Sequence, residues 1–157
     1  MTDLSRNDRK IIGELQRDGR LSNVELSERV GMSPSPCLRR VRQLEDKGVI
    51  RGYAALVDSN AVGFGLTAFA EVKLSRPGGP DVLDNFKAAV TREPAIVGCY
   101  ITAGQFDILL RIVAADMEDF SNLMQYTLLR LPGVADIKSS FIMEEVKETL
   151  ELPLDRI

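Results

Sequence analysis

Residues 22–48 read SNVELSERVGMSPSPCLRRVRQLEDKG, and they decide how the first third of the chain folds. Ser22 followed three residues later by Glu25 is a capping box, so a helix starts here. Val24, Leu26 and Val30 form its apolar face, and Gly31 supplies the turn that ends it. Ser27 lies one turn before Gly31 and is small enough for a second helix to approach closely. That second helix begins at Ser33, a residue suited to capping, with Pro34 at the first helical position and Pro36 still inside the first turn. At about 100° per residue, Cys37, Leu38, Val41 and Leu44 share one face. Ser35, Arg39, Arg42 and Gln43 share the other, with Arg40 on the flank.

Working outward, residues 4–19, LSRNDRKIIGELQRDG, place Leu4, Ile11, Ile12 and Leu15 at helical spacing. Ser5 with Asp8 caps this helix and Asp18-Gly19 stops it. Three closely spaced helices with a tight VGMS turn before the last match the helix-turn-helix plan, whose final helix enters the major groove. An arginine run alone reads more simply as a solvated charged face. Here the local balance adds weight, because residues 1–52 hold 11 Lys and Arg against 8 Asp and Glu, net +3. The expected DNA-facing set is Asn23, Ser33, Ser35, Pro36, Arg39, Arg40, Arg42 and Gln43. Its arginines can grip phosphates or read guanine edges, and its serines can hydrogen-bond phosphate near a helix N-terminus. Asn23 sits where the preceding helix would cross the DNA backbone.

The whole chain, 157 residues and 45% hydrophobic, has room for one ordinary domain or two small ones. No apolar run approaches the ~18 residues of a membrane span, and the N-terminal MTDLSRNDRK has no apolar signal core. A cytoplasmic protein with no membrane partner is expected. Cys37 and Cys99 are far apart and fit no metal spacing, and there is no histidine. Without the commonest general base and metal ligand, an enzyme, a metal site and a bound cofactor are not expected.

From residue 53 the balance reverses, to 9 basic against 15 acidic residues, net −6. Residues 49–57, VIRGYAALV, alternate loosely and read as a strand or wing leading into a linker over 53–65. Residues 66–74 form a strand, RPGGP breaks it at 76–80, and 80–93 form an amphipathic helix burying Val82, Leu83, Phe86, Ala89 and Val90. Strands follow at 95–102 and 106–114. A helix over 116–131 is capped by Asp116, buries Phe120, Leu123, Met124, Leu128 and Leu131, and stops at Pro132-Gly133. A last strand starts at 134. The expected class is therefore α+β, a (winged) helix-turn-helix over 1–52 followed by a ferredoxin-like βαββαβ sandwich over 66–157. One sheet face would carry Phe69, Val97, Ile101 and Leu109 or their alternates without helical cover, which points to a sheet-to-sheet homodimer.

Residues 102–107, TAGQFD, carry the remaining chemistry. Gly104 allows backbone N–H groups to face a carboxylate, and Asp107 could hold an ammonium; together they suit a free α-amino acid. The plainer reading is a hairpin turn whose aspartate ends in solvent. Ser139 and Ser140 could add hydroxyls to a pocket, while Met117, Met124 and Met143 read as core.

Residues 18–56, GQFDILL at 104–110, TLLRLPGV at 127–134 and SSFIMEEVK at 139–147 make the chain similar to the leucine-responsive regulatory protein family, the Lrp/AsnC or feast/famine regulators. The resemblance covers about residues 4–152. It implies a DNA-binding regulator of amino-acid metabolism or transport that dimerises and assembles further, often to octamers, with a small amino acid between subunits. It implies effector contacts from the hairpin Ile101, Thr102, Ala103, Gly104, Phe106 and Asp107 and from a partner subunit's last strand, which in this sequence is Ser139, Ser140 and Phe141. Met117 matches a position tied to effector response. Two departures stand out. The first helix starts almost at the N-terminus, without the longer basic leader of some relatives, and weaker nonspecific DNA affinity is expected. Gln105 stands where relatives commonly carry an acidic residue, which bears on effector identity. Ile101, Phe106, Phe141 and the methionines favour a hydrophobic or sulphur-containing amino acid. The alternative is an architectural protein that wraps and compacts DNA without an effector.

Overall fold

The computed structural model describes residues 4–75 and 80–156. The expected RPGGP break lies almost wholly outside the described residues. The chain forms two compact units, one of residues 4–56 together with 147–156 and the other of residues 57–146.

The first unit holds α1 (Arg6–Arg17), α2 (Asn23–Val30) and α3 (Pro34–Asp46). Reciprocal capping boxes open α1, between Ser5 and Asp8, and α2, between Ser22 and Glu25. Gly31 ends α2 at φ 69°, a left-handed conformation that glycine reaches without a Cβ clash. The core is Ile11, Ile12, Leu26, Val30, Cys37 and Leu44. Ser27 is 1% exposed, and its hydroxyl donates to the Val24 carbonyl at 2.8 Å, so its small side chain lets the helices close on one another. Two expected core residues stand outside: Val24 is 55% exposed and Leu38 38%. In each helix a three-residue stripe is enough to fill a core this small.

The expected strand or wing after Gly48 has no ladder hydrogen bonds over residues 51–58. Side chains hold the segment instead. Tyr53 donates its hydroxyl to Glu45 Oε1 at 2.9 Å, and its ring lies where a Cβ at Gly19 would meet it at 3.3 Å. Burial first, then the Glu45 carboxylate, push the Tyr53 phenol up to about 12. Within residues 53–65, residues 53–56 pack with the helices and 57–65 with the sandwich.

The second unit is a four-stranded antiparallel sheet in the order β2-β3-β1-β4, from β1 (Leu66–Leu74), β2 (Ile96–Ile101), β3 (Ile108–Ala114) and β4 (Val134–Phe141). With α4 (Pro80–Arg92) and α5 (Met117–Tyr126) the element order is the split βαββαβ of a ferredoxin-like sandwich. The helix-covered face buries Ala68, Ala70, Val72, Ile108, Leu110, Ile112 and Ala114 against Phe86, Val90, Phe120, Leu128 and Leu131. The second helix is shorter than expected: α5 ends at Tyr126, and a 3-10 turn over Leu128–Arg130 turns Leu128 back into the core. Asp116 caps α5 by accepting from the Asp119 N–H at 2.9 Å. Gly133 follows at φ 75°, and a Cβ there would run into Val82. The C-terminal residues 147–156 pack on the helical unit, where Leu154 adds to that unit's core.

Candidate nucleic-acid interface and effector hairpin

On α3 the exposed face carries Ser33, Ser35, Pro36, Arg39, Arg42 and Gln43, while Cys37 and Leu44 point inward. Ser33 occupies the N-cap position of α3 but makes no side-chain cap hydrogen bond. Two members of the expected DNA-facing set are engaged within the unit. Arg40 Nη1 lies 3.0 Å from Asp8 Oδ1 and 3.2 Å from Ser5 Oγ, so it pins α3 to the N-terminus of α1. Asn23 Nδ2 donates to the Pro34 carbonyl at 2.9 Å and joins α2 to the first turn of α3. Partial burial alone would raise the Asp8 carboxyl. The Ser5 hydroxyl and backbone N–H and the Arg40 guanidinium outweigh it, leaving Asp8 below the usual carboxylate value. The face left outward is a cationic, hydroxyl-bearing helix surface suited to the DNA backbone and base edges.

In the sandwich, strand register separates residues that look adjacent in sequence. Ile101 pairs with Ile108, Ser139 with Ala70 and Phe141 with Ala68, so these three lie on the helix-covered side. Ser140 pairs with Phe69 on the open side, alongside Leu109, which pairs with Tyr100. Ile101 therefore does not join the uncovered residues as expected; its 62% exposure comes from its place at the end of the edge strand. The open face is also less apolar than expected, since Phe69 faces Arg111 and Glu71 faces Lys138 across the strands. Glu71, Lys138 and Arg111 take the open face through the two-residue alternation of their strands.

Hairpin 102–107 is tightly held. The Thr102 N–H donates to the Asp107 carbonyl at 2.9 Å, and Thr102 Oγ1 donates to the Phe106 carbonyl at 2.9 Å. Asp107 does not end in solvent: Oδ2 accepts from the Leu74 N–H at 2.9 Å and Oδ1 lies 3.2 Å from Lys73 Nζ. Lys73 Nζ also donates to the Gln105 carbonyl at 3.0 Å. A cleft of 370 Å³ opens beside the hairpin, lined by Thr102, Gly104, Gln105, Phe106, Ile108, Leu109, Glu71 and Lys138. It is large enough for a small amino acid, with an apolar floor and one charge of each sign.

Met117, Ser139, Ser140, Phe141, Ala103 and Ile101 do not line this cleft. Met117, 54% exposed, starts α5 just beyond Ala114, and Phe141 packs edge-on against Phe120 at 5.0 Å between ring centroids. The hairpin precedes Ile108, at the opposite end of β3. At about 3.3 Å per residue those two ends are roughly 20 Å apart. Among the described residues no group of three or more His, Cys, Asp or Glu could hold a metal, and no helix is long and apolar enough to cross a membrane.

Family comparisons agree with both halves of this geometry. A winged helix-turn-helix DNA-binding model matches residues 4–51, and the Lrp/AsnC ligand-binding domain matches residues 67–152. The leucine-responsive regulatory protein of Salmonella typhimurium is 50% identical over 150 residues, 96% of this chain and 91% of its own length. The Escherichia coli K12 protein of that name is 49% identical over the same shares. A Neisseria meningitidis transcriptional regulator solved with L-methionine superposes with a TM-score of 0.94 at 45% identity, covering 98% of this chain and 99% of that one. A feast or famine regulatory protein from M. tuberculosis, also complexed with L-methionine, gives 0.88 at 30% identity over 96% and 99%. With a DNA-reading helical unit, a ligand-binding sandwich and this likeness over nearly its full length, the chain belongs to the Lrp/AsnC family of transcription regulators.

Proposed function

We propose that the protein is a cytoplasmic regulator of amino-acid metabolism or transport genes whose DNA binding responds to a hydrophobic or sulphur-containing amino acid. The observation that carries this reading is the separation of hairpin 102–107 and Met117 at the two ends of β3. A molecule the size of methionine cannot span roughly 20 Å, so hairpin 102–107 of one copy has to meet Met117 of another. Effector binding and assembly are then one equilibrium: a ligand that fits one packing of subunits favours that packing and the spacing of DNA-binding units it imposes. The two L-methionine complexes among similar structures favour a sulphur-containing ligand.

Arg39, Arg42 and Gln43 reach the DNA, Ser33 and Ser35 bond phosphate beside Pro36, and Arg40 and Asn23 hold α3 at the angle that makes this possible. Asp107 acts through the hairpin it holds rather than as a free carboxylate. Isothermal titration with each of the twenty amino acids, paired with light scattering for particle size, tests the proposal. Heat and a size change are expected with methionine or leucine. Neither signal with any amino acid would leave the architectural, effector-free protein as the correct reading.

A further inference from the structure

The chain passes between its two units twice, once near residue 56 and again near residue 146. The second crossing is short: β4 ends at Phe141, and packing on the helical unit resumes at 147. Specific contacts then dock the C-terminal segment on α1. Gln16 reads the backbone of Leu152 in both directions, donating from Nε2 to its carbonyl at 3.2 Å and accepting from its N–H at 2.8 Å. Arg17 Nε lies 3.4 Å from Glu151 Oε1, and Leu154 packs against the three-helix core. Residues 151–155 close one side of a 710 Å³ groove whose other wall is the α1 stripe Arg6, Lys10, Gly13 and Arg17. The groove also takes in Glu14 and Gln16 and, from α2, Arg29 and Val30, so the segment packs where α1 meets α2.

We propose that residues 147–156 are a strap, a second and releasable tether that limits the rotation of the DNA-binding unit. A unit held by one chain crossing turns about it freely; a second attachment point removes that freedom without adding a large interface. The Gln16 hydrogen bonds and the Arg17–Glu151 ion pair lie at the surface, where an ion pair is screened and a side-chain hydrogen bond competes with water. The strap therefore opens without unfolding what it is attached to. It also comes directly after β4, so the strand bearing Ser139, Ser140 and Phe141 and the anchor on α1 are joined by only the five residues 142–146.

The test is time-resolved fluorescence anisotropy of the full chain, labelled at Arg20→Cys in a Cys99→Ser background. Without further change the label should report only the slow tumbling of the whole particle. Gln16→Ala combined with Leu154→Asp should add a component of several nanoseconds, the signature of an independently moving unit, with helix content by circular dichroism unchanged. A chain ending at Val146 should behave as the double variant does. The proposal is overturned if the fast component is already present before the strap is altered, or if it fails to appear afterwards. Loss of helix content in both the double variant and the shortened chain would also overturn it, because the segment would then be part of the fold rather than a tether.

Discussion

Arg40 and Arg42 look equivalent in sequence, yet Arg40 is ion-paired within the unit while Arg42 is exposed on α3. Arg40 is spent on Asp8 and Ser5, and a partly exposed, hydrogen-bonded ion pair of this kind contributes roughly 1 kcal/mol. Arg40→Ala and Asp8→Asn should therefore weaken DNA binding to a similar, modest extent and leave its salt dependence unchanged. A fall in the salt slope of Arg40→Ala alone would show a phosphate contact instead. Asp8 also sets an acid limit. Its folded carboxyl lies below the unfolded value, so its contribution is present above about pH 4 and lost as pH falls through the folded value. Urea titrations across pH 2–6 should show Asp8→Asn losing stability least on acidification. Asp107 poses a similar question at the other end of the molecule. If it holds the hairpin, Asp107→Asn, which keeps an acceptor for the Leu74 N–H, should retain much of the effector affinity that Asp107→Ala loses. Equal loss in calorimetry would assign it to the ligand's ammonium.

At the scale of an element, α3 divides its residues by angle: Cys37 and Leu44 in, Arg39 and Arg42 out. Arg39→Ala with Arg42→Ala should lower affinity for operator DNA at least ten-fold and reduce the log–log salt slope by nearly one for each phosphate contact removed. Dimer content should be unchanged, because these side chains are remote in sequence and unit from the sheet. The turn after α5 is held by backbone shape. Gly133 has a positive φ and no room for a Cβ beside Val82, so Gly133→Ala should destabilise the sandwich by roughly 1–3 kcal/mol, read as a lower melting temperature with the helical unit intact.

For the whole molecule, two jobs on one chain are legible from composition, since a basic first third and an acidic remainder need different partners. Element types and caps obey short-range rules: the Ser5 and Ser22 boxes, the Gly31 turn and the Asp116 cap lie where local chemistry puts them. The βαββαβ order is likewise legible in the alternation of apolar periods. Three features are not. The ion pair of Arg40 escapes a sequence reading because its partner Asp8 is 32 residues away, beyond any local spacing rule. Ile101 falls on the opposite sheet face from the one expected because a single step of register reverses every side chain in a strand. The docking of residues 147–156 is also hidden, because Gln16, which holds Leu152, lies 136 residues before it, and the core that takes Leu154 is built by the first three helices. The sequence by itself determined the helices, the strands and the kind of protein, because caps, turns and periodicity act within about one turn or one pleat. Only the tertiary structure decided which cations are free, which face each strand residue takes and where the C-terminus docks, because those depend on partners that the fold brings together from distant parts of the chain.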